Sequence, residues 1–146
     1  MIIICTASAD TYITNKIIDN KYRVTDANVG QAATLDIFKL HEESLLDGSG
    51  SQQELSRALI KFDMSPLTSL TGTILDINSS NFKATLEMRD IMTGHAIPRN
   101  FTLSVFPLSQ SFDEGVGLDT GKFDDISVAN FITASYTSQN NVWFTT

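Results

Sequence analysis

The chain has 146 residues, a length that fits one domain, and sets 10 Lys and Arg against 17 Asp and Glu for a formal net charge of −7. That balance excludes nucleic-acid binding through a basic face, because phosphate affinity comes chiefly from Lys and Arg. Hydrophobic residues make up 42% and charged ones 18%, with 15 serines and 16 threonines supplying much of the remaining polarity, so the composition is that of a chain that buries a core.

The first apolar run, 2–5, is also the longest. It falls far short of the ~20 residues that span a bilayer and lacks the length and basic flank of a signal peptide. No membrane insertion is expected, and synthesis in the cytoplasm without a signal peptide is. Cys5 is the single cysteine, so no disulfide closes within the chain.

Short strands are expected over 2–6 and 11–14, followed by a long connection over roughly 15–33. In 35–40, Leu35 and Ile37 oppose Phe38 and Leu40, so both faces are partly apolar. A second long connection, 41–55, carries Glu42, Glu43, Asp47 and Glu54 with no Lys or Arg. Ser51 and Glu54 have capping-box spacing there, but a loop is expected rather than a helix. In 57–63, Ala58, Ile60 and Phe62 share one face while Arg57, Lys61 and Asp63 share the other, and Leu59 interrupts the split. Pro66 then stops the strand by removing a ladder donor.

Further strands are expected over 73–77, 82–89, 101–105, 131–136 and 142–145. The run 82–89 has the cleanest period-two pattern, with Phe82, Ala84, Leu86 and Met88 alternating with Lys83, Thr85, Glu87 and Arg89. Turn-rich clusters separate these runs, at 47–50, 78–81, 92–94 and 139–141. About seven to nine short strands punctuated in this way predict an all-β antiparallel sandwich with few or no helices. A third irregular region, 109–129, is acidic, and its Gly115, Gly117 and Gly121 imply unusual φ or close backbone approach. The chain ends just past Trp143, an anchor that natural termini seldom follow so closely. Residues 1–146 are therefore expected to form a single sandwich domain, the N-terminal part of a longer chain.

The chemistry-bearing residues are sparse. His41, His95 and Cys5 have no zinc-site spacing. Calcium suits the loop 113–119 better, where Asp113, Glu114 and Asp119 offer carboxylates and the glycines offer carbonyls, although the EF-hand pattern is absent. A solvated acidic loop is the plainer reading of the same residues. No nucleophile elbow and no phosphate-binding glycine motif occurs. Asp113, Glu114, Asp124 and Asp125 could nominally form a glycosidase pair, but any acidic chain offers such pairs. The expectation is a protein that is not an enzyme. Tyr12, Tyr22, Tyr136 and Trp143 could contact a glycan or a protein partner, and Trp143 fits a core position best.

Several segments in order carry a resemblance: 10–13, 28–30, 35–37, the run Arg57-Ala58-Leu59-Ile60-Lys61-Phe62-Asp63 before Pro66, 84–86, 112–117 and 129–132 leading to Trp143. Together they resemble the DNRLRE-type domain, a jelly-roll-like β-sandwich similar to some carbohydrate-binding modules, as found in structural proteins of tailed, including marine, bacteriophages. Phe112 stands where that family often has Trp, and the insertions before Asn28 and after Leu40 are longer than usual. The resemblance implies a virion structural protein in the tail, neck, baseplate or head surface. Its implied partners are other virion proteins and further copies of itself. The alternative it implies is a module that attaches the particle to host-surface glycans.

Overall fold

The computed structural model describes residues 1–40, 53–71, 75–89, 91, 100–120, 128–135 and 141–143. Its elements are β1 (Ala7–Thr14), β2 (Ile17–Ile18), β3 (Tyr22–Arg23), β4 (Lys39–Leu40), β5 (Glu54–Phe62), α1 (Ser65–Thr68), β6 (Thr133–Ser135) and β7 (Asn141–Val142). The fold is all-β, its strand pairs are antiparallel, and the one helix among the described residues is a single turn.

β5 is the axis of the molecule, flanked by β1 on one side and β4 on the other. Its register sets Tyr12 against Ala58, Ile13 against Arg57 and Thr11 against Leu59. Directly opposed residues share a face, so Thr11, Ile13 and Leu59 point together. Ile13 and Leu59 meet Ala129 in the core, with Phe112 and Trp143 packed against them. Leu59 breaks the alternation of β5 because the core lies on its own face. The Ala58, Ile60 and Phe62 face expected to lead is only half-buried. Both faces of β1 are covered from Thr11 to Thr14. Near its start, the register slips between Ala7 and Ala9, and the Ser8 hydroxyl donates to the Lys61 carbonyl there.

The connection 15–33 is not structureless. β2 and β3 form a hairpin whose turn places Asp19 and Asn20 at φ of 52° and 56°, closed by the Lys21 N–H on the Ile18 carbonyl at 2.9 Å. Asp and Asn tolerate that left-handed conformation better than most residues, which suits them to this turn. α1 follows β5, with Pro66 in its first turn and the Asp63 carboxylate accepting the Ser65 N–H at 2.9 Å. Pro66 thus opens a helical turn four residues beyond the end of β5, where a missing N–H costs nothing.

From the C-terminal side, Phe131 lies 5.4 Å under the Arg57 guanidinium, and its N–H donates to the Thr25 carbonyl. The indole of Trp143 donates to the Asn130 carbonyl at 2.7 Å, so its polar edge is satisfied while its body packs on the core.

The runs 82–89 and 101–105 are not strands in this chain: among the described residues nothing pairs with either. Both are exposed almost throughout. Alternation prepares two faces of a strand but does not provide its partner. The expected strand 2–6 is likewise not a strand, its one backbone contact among the described residues being the Thr6 carbonyl accepting the Asp63 N–H at 3.3 Å, whereas 11–14 and 57–63 lie almost wholly within the longer strands β1 and β5. Of 73–77, residues 73 and 74 lie outside the described residues, and 75–77 show only an isolated bridge from Leu75 to Thr71. The 41–52 part of the second connection, including Ser51, lies outside them, and Glu54 opens β5 rather than a helix.

Candidate functional site

The glycine-bearing acidic loop is held by one residue that sequence reasoning did not single out. Asn28 is fully buried. Its Nδ2 donates to the carbonyls of Glu114 at 2.9 Å and Ala129 at 2.8 Å, while its Oδ1 accepts from Gly30 at 3.1 Å and Gly117 at 2.9 Å. Both amide protons and both oxygen lone pairs are thereby used, the full capacity of the side chain.

The glycines are what let the backbone approach it. A Cβ on Gly117 would land on the Asn28 carbonyl, one on Gly30 on the Glu114 carbonyl, and Gly115 sits at φ 81° against the Asn28 amide. Gln31 closes the contact by donating to the Gly117 carbonyl at 2.8 Å. This loop is a clamp joining segments from both halves of the chain.

The three carboxylates considered for calcium occupy different positions in that clamp. Glu114 Oε1 accepts the Asp10 N–H at 2.9 Å, so its side chain serves β1. Asp113 pairs through its backbone, donating to the Ala134 carbonyl and accepting from Ala129, with its side chain exposed. Asp119 is exposed and lies close enough to Tyr12 to act on its phenol. Among the described residues, no three His, Cys, Asp or Glu side chains come together as a metal-binding group. Asp124, Asp125, His41 and His95 lie outside the described residues.

The tyrosines also separate. Tyr12 is only 7% exposed, a core residue rather than a surface platform. Burial, reinforced by the Asp36 and Asp119 carboxylates, pushes its phenol up to about 12. Tyr22 is 46% exposed on the β2–β3 hairpin, beside an open cleft of about 520 Å³ lined by Lys16, Ile17, Ile18, Asp19 and Asn20. Tyr136 lies outside the described residues.

A buried polar corner lies behind the same hairpin. Glu54 is fully buried, with Oε2 accepting the Ile17 N–H at 2.7 Å and Oε1 unpaired. Arg23 sits across the hairpin from Ile17 and donates through Nη1 to the Asn15 and Gln53 carbonyls, its buried Nη2 also unpaired. No sequence motif marks this corner, because it arises only when β5 passes beneath the hairpin.

Apolar exposure dominates the run 101–108. Phe101, Leu103, Val105, Phe106 and Leu108 are all exposed, Val105 at 73% and Phe106 at 79%. Leu86 and Met88 are exposed as well, in the other unpaired run. Apolar exposure on this scale is characteristic of interaction surfaces. Among the described residues, no helix is long and apolar enough to cross a membrane.

No family model, curated protein or solved structure matches this chain.

Proposed function

We propose that this protein is a non-catalytic structural component of a tailed bacteriophage particle, built on a jelly-roll-like β-sandwich of the DNRLRE type and working through protein–protein contacts. The observation that carries the reading is the exposed stretch 101–108, in which Phe101, Leu103, Val105, Phe106 and Leu108 all face solvent. A chain with 42% hydrophobic residues that leaves such a stretch uncovered gains most by burying it against another subunit. The family resemblance supplies the setting, with other virion proteins and further copies of the chain as the partners. The protein is made in the host cytoplasm and ends in the virion.

The test is mass spectrometry of gradient-purified particles from the phage that encodes the chain. Peptides of this protein should co-purify in fixed stoichiometry with the other particle proteins. A protein found only in the soluble lysate of infected cells, never with particles, would overturn the reading.

A second reading, a module that binds host-surface glycans, draws on the hairpin. Tyr22 offers an exposed ring there, and Asp19 and Asn20 border the adjoining open cleft with polar groups. A glycan array with and without chelator tests it. Binding lost in a Tyr22→Ala variant would place the sugar at the hairpin, binding lost only with chelator would bring in a calcium ion, and no binding in any condition removes the reading.

A further inference from the structure

The run 82–89 has three properties that meet in no other described segment. It alternates strictly, with Phe82, Ala84, Leu86 and Met88 on one face and Lys83, Thr85, Glu87 and Arg89 on the other. Residues 83–89 are all exposed, and nothing among the described residues pairs with them. The run leaves a turn closed by its own hydrogen bonds: the Asp76 carboxylate accepts the Asn78 N–H, and the Ser79 carbonyl accepts the Phe82 N–H at 2.9 Å. It is a strand by sequence, attached at a fixed point, and among the described residues nothing occupies either of its edges.

Its charges favour one partner. In an antiparallel pair of identical strands, directly opposed residues have numbers that sum to a constant, and opposed residues share a face. An odd sum sets residues of opposite parity together and puts apolar side chains against charged ones along the whole pair. Even sums keep the faces apart, and they differ in charge. Centring the pair on Thr85 sets Lys83 opposite Glu87 twice, Thr85 opposite Thr85, Phe82 opposite Met88 and Ala84 opposite Leu86. Centring it on Leu86 sets Lys83 opposite Arg89, centring on Glu87 sets that carboxylate against itself, and centring on Lys83 does the same with the ammonium. Centring on Ala84 leaves Lys83 opposite Thr85 and no ion pair, and centring on Met88 sets Glu87 opposite Arg89 but overlaps only residues 87–89 of the run. Opposite charges facing across strands stabilise a pair and like charges oppose it.

We propose that the segment 82–89 is a self-pairing strand, through which two copies of this chain join as an antiparallel ribbon across a two-fold axis at Thr85. The inference deepens the assembly reading above by naming its contact, and it rests on that reading only in requiring that the protein self-associate. Edge-to-edge pairing satisfies the open backbone groups of both strands. It also brings Phe82, Ala84, Leu86 and Met88 of the two copies onto one apolar face, doubling the surface that a neighbouring layer would cover.

The test uses the full chain in sedimentation velocity across a concentration series. Lys83→Glu and Glu87→Lys should each weaken dimerisation by roughly tenfold, because each introduces two symmetric like-charge pairs. The double exchange, K83E with E87K, should bring affinity back to near the wild-type value. In a Cys5→Ser background, Thr85→Cys should form a disulfide between copies on mild oxidation. Arg89→Cys should not, since at ~3.3 Å per residue its two positions lie eight residues apart along the ribbon. Lys83, Thr85, Glu87 and Arg89 are all exposed, so substitutions at these four positions leave the core untouched. A double exchange that fails to restore affinity, or Arg89→Cys cross-linking as readily as Thr85→Cys, would overturn the contact while leaving assembly in place. A strictly monomeric wild-type chain at every concentration would overturn both.

Discussion

Two regions of this molecule have comparable strand-forming sequences and opposite fates. Around β1 and β5, each polar group that enters the interior meets a counterpart in nearly every case: Thr14 reaches the Leu55 carbonyl, Glu114 the Asp10 N–H, and Asn28 four partners at once. Along 82–89 and 101–105 the side chains alternate just as well, yet among the described residues nothing covers their backbone edges or apolar faces. The difference is one of partners rather than of propensity. A strand is stabilised when both its edge and its inner face are covered, and a sequence of eight residues specifies only what the faces are.

Perturbing Asn28 should break this contrast most severely. Asn28→Ala strands two N–H groups and two carbonyls in the interior, and each unpaired buried group costs about 1–3 kcal/mol, so a loss of about 3–5 kcal/mol is expected in urea denaturation. A loss below about 1 kcal/mol would mean that the clamp is not what joins the two halves. Gly117→Ala comes next, at about 1–3 kcal/mol, because its Cβ meets the Asn28 backbone rather than a side chain that can swing away.

Glu114 separates a structural carboxylate from a ligand. Glu114→Ala should cost about 1–2 kcal/mol by unpairing the Asp10 N–H, and Glu114→Gln, which keeps an acceptor oxygen, should cost less than about 1 kcal/mol. Equal losses in the two variants would show that the charge matters more than the hydrogen bond.

Tyr12 adds a dependence on pH. Its phenol is raised from 10.0 to about 12 in the folded chain, so the folded state holds its proton more tightly than the unfolded state does. Stability attributable to this group is complete below pH 10 and falls as pH rises toward 12. The alkaline slope of wild type should therefore exceed that of Tyr12→Phe in matched denaturation series. Smallest of all should be Phe106→Ser, which removes an exposed ring: thermal stability is expected to change by no more than about 0.5 kcal/mol, while retention on particles drops.

The sequence makes the paired centre of the fold partly legible. The alternation at 57–62 and the β-rich chemistry at 11–14 mark β5 and β1, but β1 begins earlier, at Ala7, because a bulge lets its polar start follow β5. The hairpin at 17–23 reads as loop from its composition, although Asp19 and Asn20 carry the signal of a left-handed turn. The glycines at 115 and 117 announce close approach correctly, yet nothing local says that the approached residue is Asn28, whose partners lie up to 101 positions away. Of the carboxylates and tyrosines picked out from the sequence, residue type alone could not distinguish Glu114, which holds β1, or Tyr12, which is buried, from ligand-binding residues.

That distance along the chain has a temporal consequence. During synthesis, β1 and β5 can pair once Phe62 has emerged, but the amide of Asn28 waits for Ala129, 101 residues later than itself. From Phe62 to Ala129 is 67 residues, so at the usual ~5–20 residues per second of translation the wait is roughly 3–13 s. For that interval the nascent chain carries a half-finished sheet with open edges, alongside a run that can pair with its twin on a neighbouring ribosome. The order in which the clamp closes and copies meet is therefore part of what a cell making this protein has to manage.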